Sequence, residues 1–137
     1  MSNQFKQVAG WALRLLATFI MGQSLFFKFS GAEESLYIFS TLGIEPWGRI
    51  GTGVIELAAV VLILIPKTTL FGAVIGFGTM AGAILSHLTV LGIEVKNDNG
   101  LLFIYACVTL ASCLILILIN KSQLEVFTKQ IRSHKLL

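Results

Sequence analysis

Residues 51–66 run GTGVIELAAVVLILIP, a stretch as apolar as a membrane span with one carboxylate, Glu56, inside it. An ionised side chain at the centre of a membrane helix costs roughly 2.5–3.5 kcal/mol on a translocon scale. The stretch therefore raises two questions: whether it crosses a bilayer, and what meets Glu56 there.

Working outward, the rest of the chain has the same character. Of its 137 residues, 55% are hydrophobic and 12% charged, with a mean hydropathy of +0.86. A soluble domain carries about 25% charged residues. Four apolar runs, at about 8–29, 47–65, 69–92 and 101–119, reach the roughly 20 residues that a helix needs to cross a hydrocarbon core. Pro46, Pro66-Lys67 and the turn-forming Asn97–Gly100 separate the later runs. The runs are continuous rather than alternating, so helices and not a barrel satisfy the backbone in lipid. The expectation is an all-α integral membrane protein, a four-helix antiparallel bundle forming one domain over 1–137. Arg14 interrupts the first run and no small-residue cleavage pattern follows it, so that helix is expected to be retained.

Two shorter segments are expected to lie along the membrane. Ser30 and Glu33 have capping-box spacing, Leu36, Phe39 and Leu42 recur at helical spacing, and Gly43 ends the pattern. This predicts a short outer interfacial helix over 31–42, either a lid or a tether, with Trp47 as an interface anchor. From Lys121 onward, Leu124, Phe127 and Ile131 form one stripe among Lys121, Lys129, Arg132 and Lys135. A basic amphipathic tail on an anionic leaflet accounts for this pattern, so the positive charge requires a lipid bilayer as partner and no nucleic acid. Lys6, Lys67 and the four tail cations fall on one side of the spans. Lys28, Arg49 and Lys96 fall on the other, among Glu33, Glu34, Glu45, Glu94 and Asp98. The positive-inside rule then places both termini in the cytoplasm.

Polar residues within the spans define the candidate site: Arg14, Gln23, Lys28, Glu56, His87 and Tyr105. At 1.5 Å per residue, Glu56 lies about 13 Å, His87 about 7 Å, Gln23 about 9 Å and Tyr105 about 6 Å from the outer ends of their helices. All four converge on the outer half of the bundle, with Lys28 and Arg49 at the mouth above them. Arg14 shares a helix face with Thr18, Met21, Leu25 and Lys28; it either snorkels to the cytoplasm or extends towards Glu56. Gly72 with Gly76, and Gly78 with Gly82, have the spacing that permits close helix approach. Two accounts of Glu56 stay open: a structural ion pair locking the helices, or part of a ligand or proton site. Cys107 and Cys113 lie on different faces of one helix, too far apart to bridge, and no Cys-x-x-Cys occurs. One intramembrane His without a second argues against a metal or haem centre. The Asn97–Gly100 run lacks the remaining ligands of a calcium loop and is expected to form a turn.

Arg14, SLFFKFSG around Lys28, GTGVIELAAVVLIL around Glu56, MAGAILSH ending at His87, and GIEVKNDNGLLFIYA before the fourth span together resemble the DoxX family. The resemblance covers residues 8–120. It implies a four-helix inner-membrane protein of bacterial type, with relatives tied to thiosulfate:quinone oxidoreductase or to a membrane oxidoreductase complex of thiol stress. By that likeness a quinone or a small sulfur anion is the expected ligand, a soluble or membrane redox protein the expected partner, and Arg14, Lys28, Glu56 and His87 the positions carried over. The family supplies no agreed catalytic residues. The alternative is a non-enzymatic small-molecule carrier or assembly partner, with the buried ionisable residues as structural or gating pairs.

Overall fold

The structure, a computed structural model, describes residues 2–136. Its first helix, α1 (Asn3–Ser30), starts at Ser2, whose hydroxyl accepts the Phe5 N–H at 3.2 Å. It stops at Gly31, which takes a left-handed φ of +67°. The N–H groups of Gly31 and Ala32 turn back to the carbonyls of Lys28 and Phe27, the usual closure of a helix by glycine. Ser30 is therefore the last residue of α1 rather than a cap for the next helix, and its hydroxyl donates to the Phe27 carbonyl. The capping-box expectation fails because the glycine signal acts one residue later and Ala32 takes the cap position.

The short helix between the first two spans is present as α2 (Glu33–Thr41), but its inward stripe is shifted from the expected one. Ser35 and Phe39 are buried, whereas Leu36 is exposed. Four helices among the described residues are long and apolar enough to cross a membrane. These are α1 with α3 (Trp47–Leu64), α4 (Thr69–Ser86, extended by the turn that follows it) and α5 (Leu101–Ile119), close to the expected spans. A 3₁₀ turn at Pro66–Thr68 joins α3 to α4, and a π-helical turn at His87–Leu91 ends the third span. The amphipathic helix α6 (Ser122–Lys135) closes the chain.

Helix α1 packs on α3 and α5, and α4 packs on the same two, so α1 and α4 face each other across the diagonal of an antiparallel square. Towards the end that carries the termini, the square is dry. Ala17, Met21, Ile63, Ala73, Cys113 and Leu116 are fully buried there. Gly72 makes this possible: a β-carbon on it would sit 2.6 Å from the Ile63 nitrogen and 2.8 Å from the Ala59 oxygen, so the α3 and α4 backbones touch. A β-carbon on Gly76 would meet Cys113 Sγ at 2.9 Å. Gly78 and Gly82 face open space, so the second glycine pair mediates no such contact.

Loops are tied down by side chains. Gln123 of α6 accepts the Leu70 N–H at 3.0 Å and donates to the Pro66 carbonyl at 2.7 Å, satisfying the start of α4. Phe127 meets Phe71 edge-on at 5.2 Å, while Leu124 and Ile131 stay exposed on the same stripe. In the turn before α5, Asp98 accepts N–H groups from Val95, Gly100 and Leu102 at 2.9, 2.9 and 3.1 Å. Partial burial pushes its pKa up, but these three donors, with His87 nearby, hold it below the ordinary carboxylate value. Its stabilisation is thus present above the unfolded-chain value and lost only as pH falls through the depressed folded one.

Close backbone contact at Gly72 has a direct test. Gly72→Ala is expected to destabilise the detergent-solubilised protein by about 1–3 kcal/mol through overpacking. Gly78→Ala is expected to be neutral or slightly stabilising, since helix propensity gains up to about 1 kcal/mol. Equal thermal midpoints for the two variants would show that α3 and α4 do not approach at Gly72.

Candidate functional site

At the α2 end the square opens into a cavity of about 380 Å³. All four spanning helices line it, and Ser35, Ile38, Phe39 and Leu42 of α2 also contribute. Met21 and Met80 lie where the cavity meets the dry core. The α2 segment therefore forms part of the wall of the site.

Lys28 and Glu56 meet in this wall. The ammonium nitrogen lies 2.9 and 2.8 Å from the two carboxylate oxygens of Glu56 and 2.5 Å from Ser24 Oγ. Ser24 stands one helical turn before Lys28, so all three ammonium hydrogens have acceptors. The side chains are 12% and 5% exposed, which places the pair largely out of water. Arg49 is equally committed. Its Nε donates to both oxygens of Glu45, at 2.9 and 3.0 Å, and its NH1 donates to the Lys28 carbonyl. Both cations expected at the mouth are therefore paired with carboxylates.

His87 owes its place to backbone geometry. In the π turn its carbonyl accepts the Gly92 N–H at 2.8 Å, and its Nδ1 lies 2.8 Å from the Gly92 carbonyl. A carbonyl accepts and never donates, so Nδ1 carries the proton and, in neutral imidazole, Nε2 is left as an acceptor. Gly92 takes a φ of +80°, open to glycine and strained for other residues. Phe103 packs edge-on against the ring at 5.6 Å. The buried imidazole lines the cavity, as do the half-buried Tyr105 and the exposed Gln23.

Arg14 does not join this group. It shares a face with Lys28 but sits fourteen residues away, about 21 Å along the axis. It lines a separate cavity at the opposite end with Lys6 and Asn120. A common helix face fixes direction and not depth, which is why the two cations never meet. Ser24, which completes the Lys28 shell, was not singled out from the sequence, although its i, i+4 spacing to Lys28 is the signal that would have found it.

Residues 12–113 match the DoxX-like family. The chain belongs to that family. The matched span contains Gln23, Lys28, Glu56, His87 and Tyr105 and leaves out α6. Comparison with curated proteins and with solved structures found no match. Family membership and four apolar spanning helices together make the chain a multi-pass membrane protein. No cluster of three His, Cys, Asp or Glu gathers among the described residues, and Cys107 and Cys113 are both free.

The Lys28–Glu56 contact predicts strong coupling. Lys28→Met and Glu56→Gln should each destabilise by up to about 3–5 kcal/mol, the range for stranding one member of a fully buried pair. The double variant should lose much less than the sum, in a cycle read by denaturation in detergent. Additive losses would show that the two side chains do not interact.

Proposed function

We propose that the chain is a membrane subunit of a redox system and that the α2-end cavity binds a neutral, hydrogen-bonding headgroup of the quinone class. The observation that carries this reading is a largely apolar cavity whose positive charge is already taken. Among the described residues Lys28 is the one Lys or Arg in the lining and Glu56 already occupies it, so a small sulfur anion would find no unpaired positive charge. Glu34 in the same lining would repel it further. A neutral ring with carbonyl and hydroxyl oxygens fits better. The Tyr105 hydroxyl, the Gln23 amide and the Ser24 hydroxyl supply donors, and His87 Nε2 accepts a hydrogen from a reduced, hydroxylated ring.

In this reading residues 1–137 form one domain in a bacterial inner membrane, with both termini cytoplasmic. The six loop and tail cations at the terminal end then lie inside, following the positive-inside rule. A soluble or membrane redox partner exchanges electrons with the bound ring. A second reading has its own support. Since Glu56 and Ser24 already satisfy every ammonium hydrogen of Lys28, the pair also suits a purely structural lock in a carrier or assembly protein.

Organic extraction of the purified protein followed by mass spectrometry is expected to recover quinone at near-stoichiometric amounts. Added short-chain quinone should bind, and Tyr105→Phe and His87→Ala should each weaken it about tenfold, the worth of one hydrogen bond of about 1.4 kcal/mol. Cys107→Ala, outside the cavity, should leave binding unchanged. No extracted quinone, together with equal thermal shifts in all variants, would leave the structural lock as the surviving reading.

A further inference from the structure

The second cavity, at the opposite end of the bundle, has a different chemistry. It is lined by Asn3, Lys6, Gln7, Trp11, Arg14 and Asn120, with a backbone edge at Gly10 and Pro66. Arg14 is 8% exposed, yet its Nε has no hydrogen-bond partner among the described residues. Its guanidinium carbon stands 4.6 Å over the Trp11 ring, and it enters none of the ion pairs found among the described residues. Neither does Lys6. A buried, always-charged guanidinium with an unused N–H, beside a second cation outside those ion pairs, has the chemistry to hold an anion.

Depth indicates which anion. Helix α1 has 28 residues and so a length of about 42 Å, roughly 12 Å more than a hydrocarbon core. Lys28 and Trp47 lie at the α2 end, and Trp11 is the tryptophan at the other. With Trp11 at the second interface, the first two turns of α1 stand in the headgroup layer and Arg14 reaches up to it from below. That layer is where lipid phosphates reside. The same end carries Lys67, Lys121, Lys129, Arg132 and Lys135 against one acid, Glu125, so its field favours negative charge.

We propose that this cavity binds a phosphate group, held by Arg14 and Lys6, and that its source is the headgroup of an anionic phospholipid in the leaflet at the terminal end. Arg14 supplies planar N–H donors to the phosphate oxygens. Lys6 adds charge at the rim, and the Asn3 and Gln7 amides complete the polar wall. The site is independent of the α2-end cavity and holds whether or not that cavity binds quinone.

Trp11 provides the reporter. In Trp47→Phe protein in neutral detergent it is the sole tryptophan, and its fluorescence can be titrated with dihexanoyl phosphatidylglycerol, dihexanoyl phosphatidylcholine and inorganic phosphate. Saturable binding of phosphatidylglycerol is expected, at least tenfold tighter than either control. Arg14→Gln should weaken it at least tenfold. Gly10→Leu should abolish it by filling the cavity that Gly10 lines, since a β-carbon there meets no atom within 4 Å and Gly10 has no positive φ. This second variant keeps the test informative if Arg14→Gln fails to fold. Lys129→Gln with Arg132→Gln on α6 should leave the response in place, separating the cavity from general attraction to the basic tail. Inorganic phosphate binding as tightly as the lipid, and lost in the same variants, would keep the phosphate site but overturn the lipid as its source. A response unchanged by Arg14→Gln and Gly10→Leu would overturn the site itself.

Discussion

A carboxylate inside a membrane bundle has to meet a cation or give up its charge, and the α2 half of this protein is arranged around that requirement. Glu56 is positioned by α3 and Lys28 by α1, so the pair joins two spans that are distant in sequence. Ser24 takes the third ammonium hydrogen, and Arg49 clamps the end of α1 by holding the Lys28 carbonyl while Glu45 neutralises it. Each polar commitment removes a group that lipid would otherwise leave unsatisfied. The mouth is consequently rich in charged residues and poor in free charge, a combination that favours neutral ligands over ions.

The two halves of the square differ because of side-chain size. Gly72 and Gly76 bring α4 against α3 and α5, and Met21, Ile63 and Leu116 fill what space remains. Nearer α2 no such close approach is made, and the helices enclose a largely apolar cavity that Thr52, Thr79 and Ala83 line together with Ile20, Phe39 and Leu102. The π turn at His87 ends the third span, with the imidazole held against the Gly92 carbonyl. Such turns interrupt a helix at some cost and are frequent at functional sites.

Much of this was legible in the sequence. Apolar run length and the breakers at Pro46, Pro66 and Asn97–Gly100 mark the spans, because lipid leaves the backbone few alternatives. Depth arithmetic brings Glu56, Lys28, His87, Gln23 and Tyr105 to one half of the bundle. Where the reading failed, it lacked three-dimensional information. The face shared by Arg14 and Lys28 carries no depth, so it leaves open whether Arg14 turns to the terminal end or extends towards Glu56; the structure has it in the cavity at the terminal end, about 21 Å along α1 from Lys28. Gly78 and Gly82 have the same spacing as Gly72 and Gly76, but a β-carbon on either would meet no atom within 4 Å. The π turn depends on the positive φ of Gly92, which a helix-length apolar run conceals. The pairing of Arg49 with Glu45, and hence the loss of free charge at the mouth, depends on side-chain geometry that spacing only permits.

At the centre of the account is an ionised Glu56 held by Lys28 within the bilayer. Infrared difference spectroscopy between wild-type protein and Glu56→Gln, in lipid at neutral pH, measures this most directly. The account predicts loss of an ionised carboxylate stretch on substitution, and a shift of that band in Lys28→Met. Loss of a protonated carbonyl stretch instead, unaffected by Lys28→Met, would show that Glu56 is buried as a neutral acid and that the pair does not organise the site.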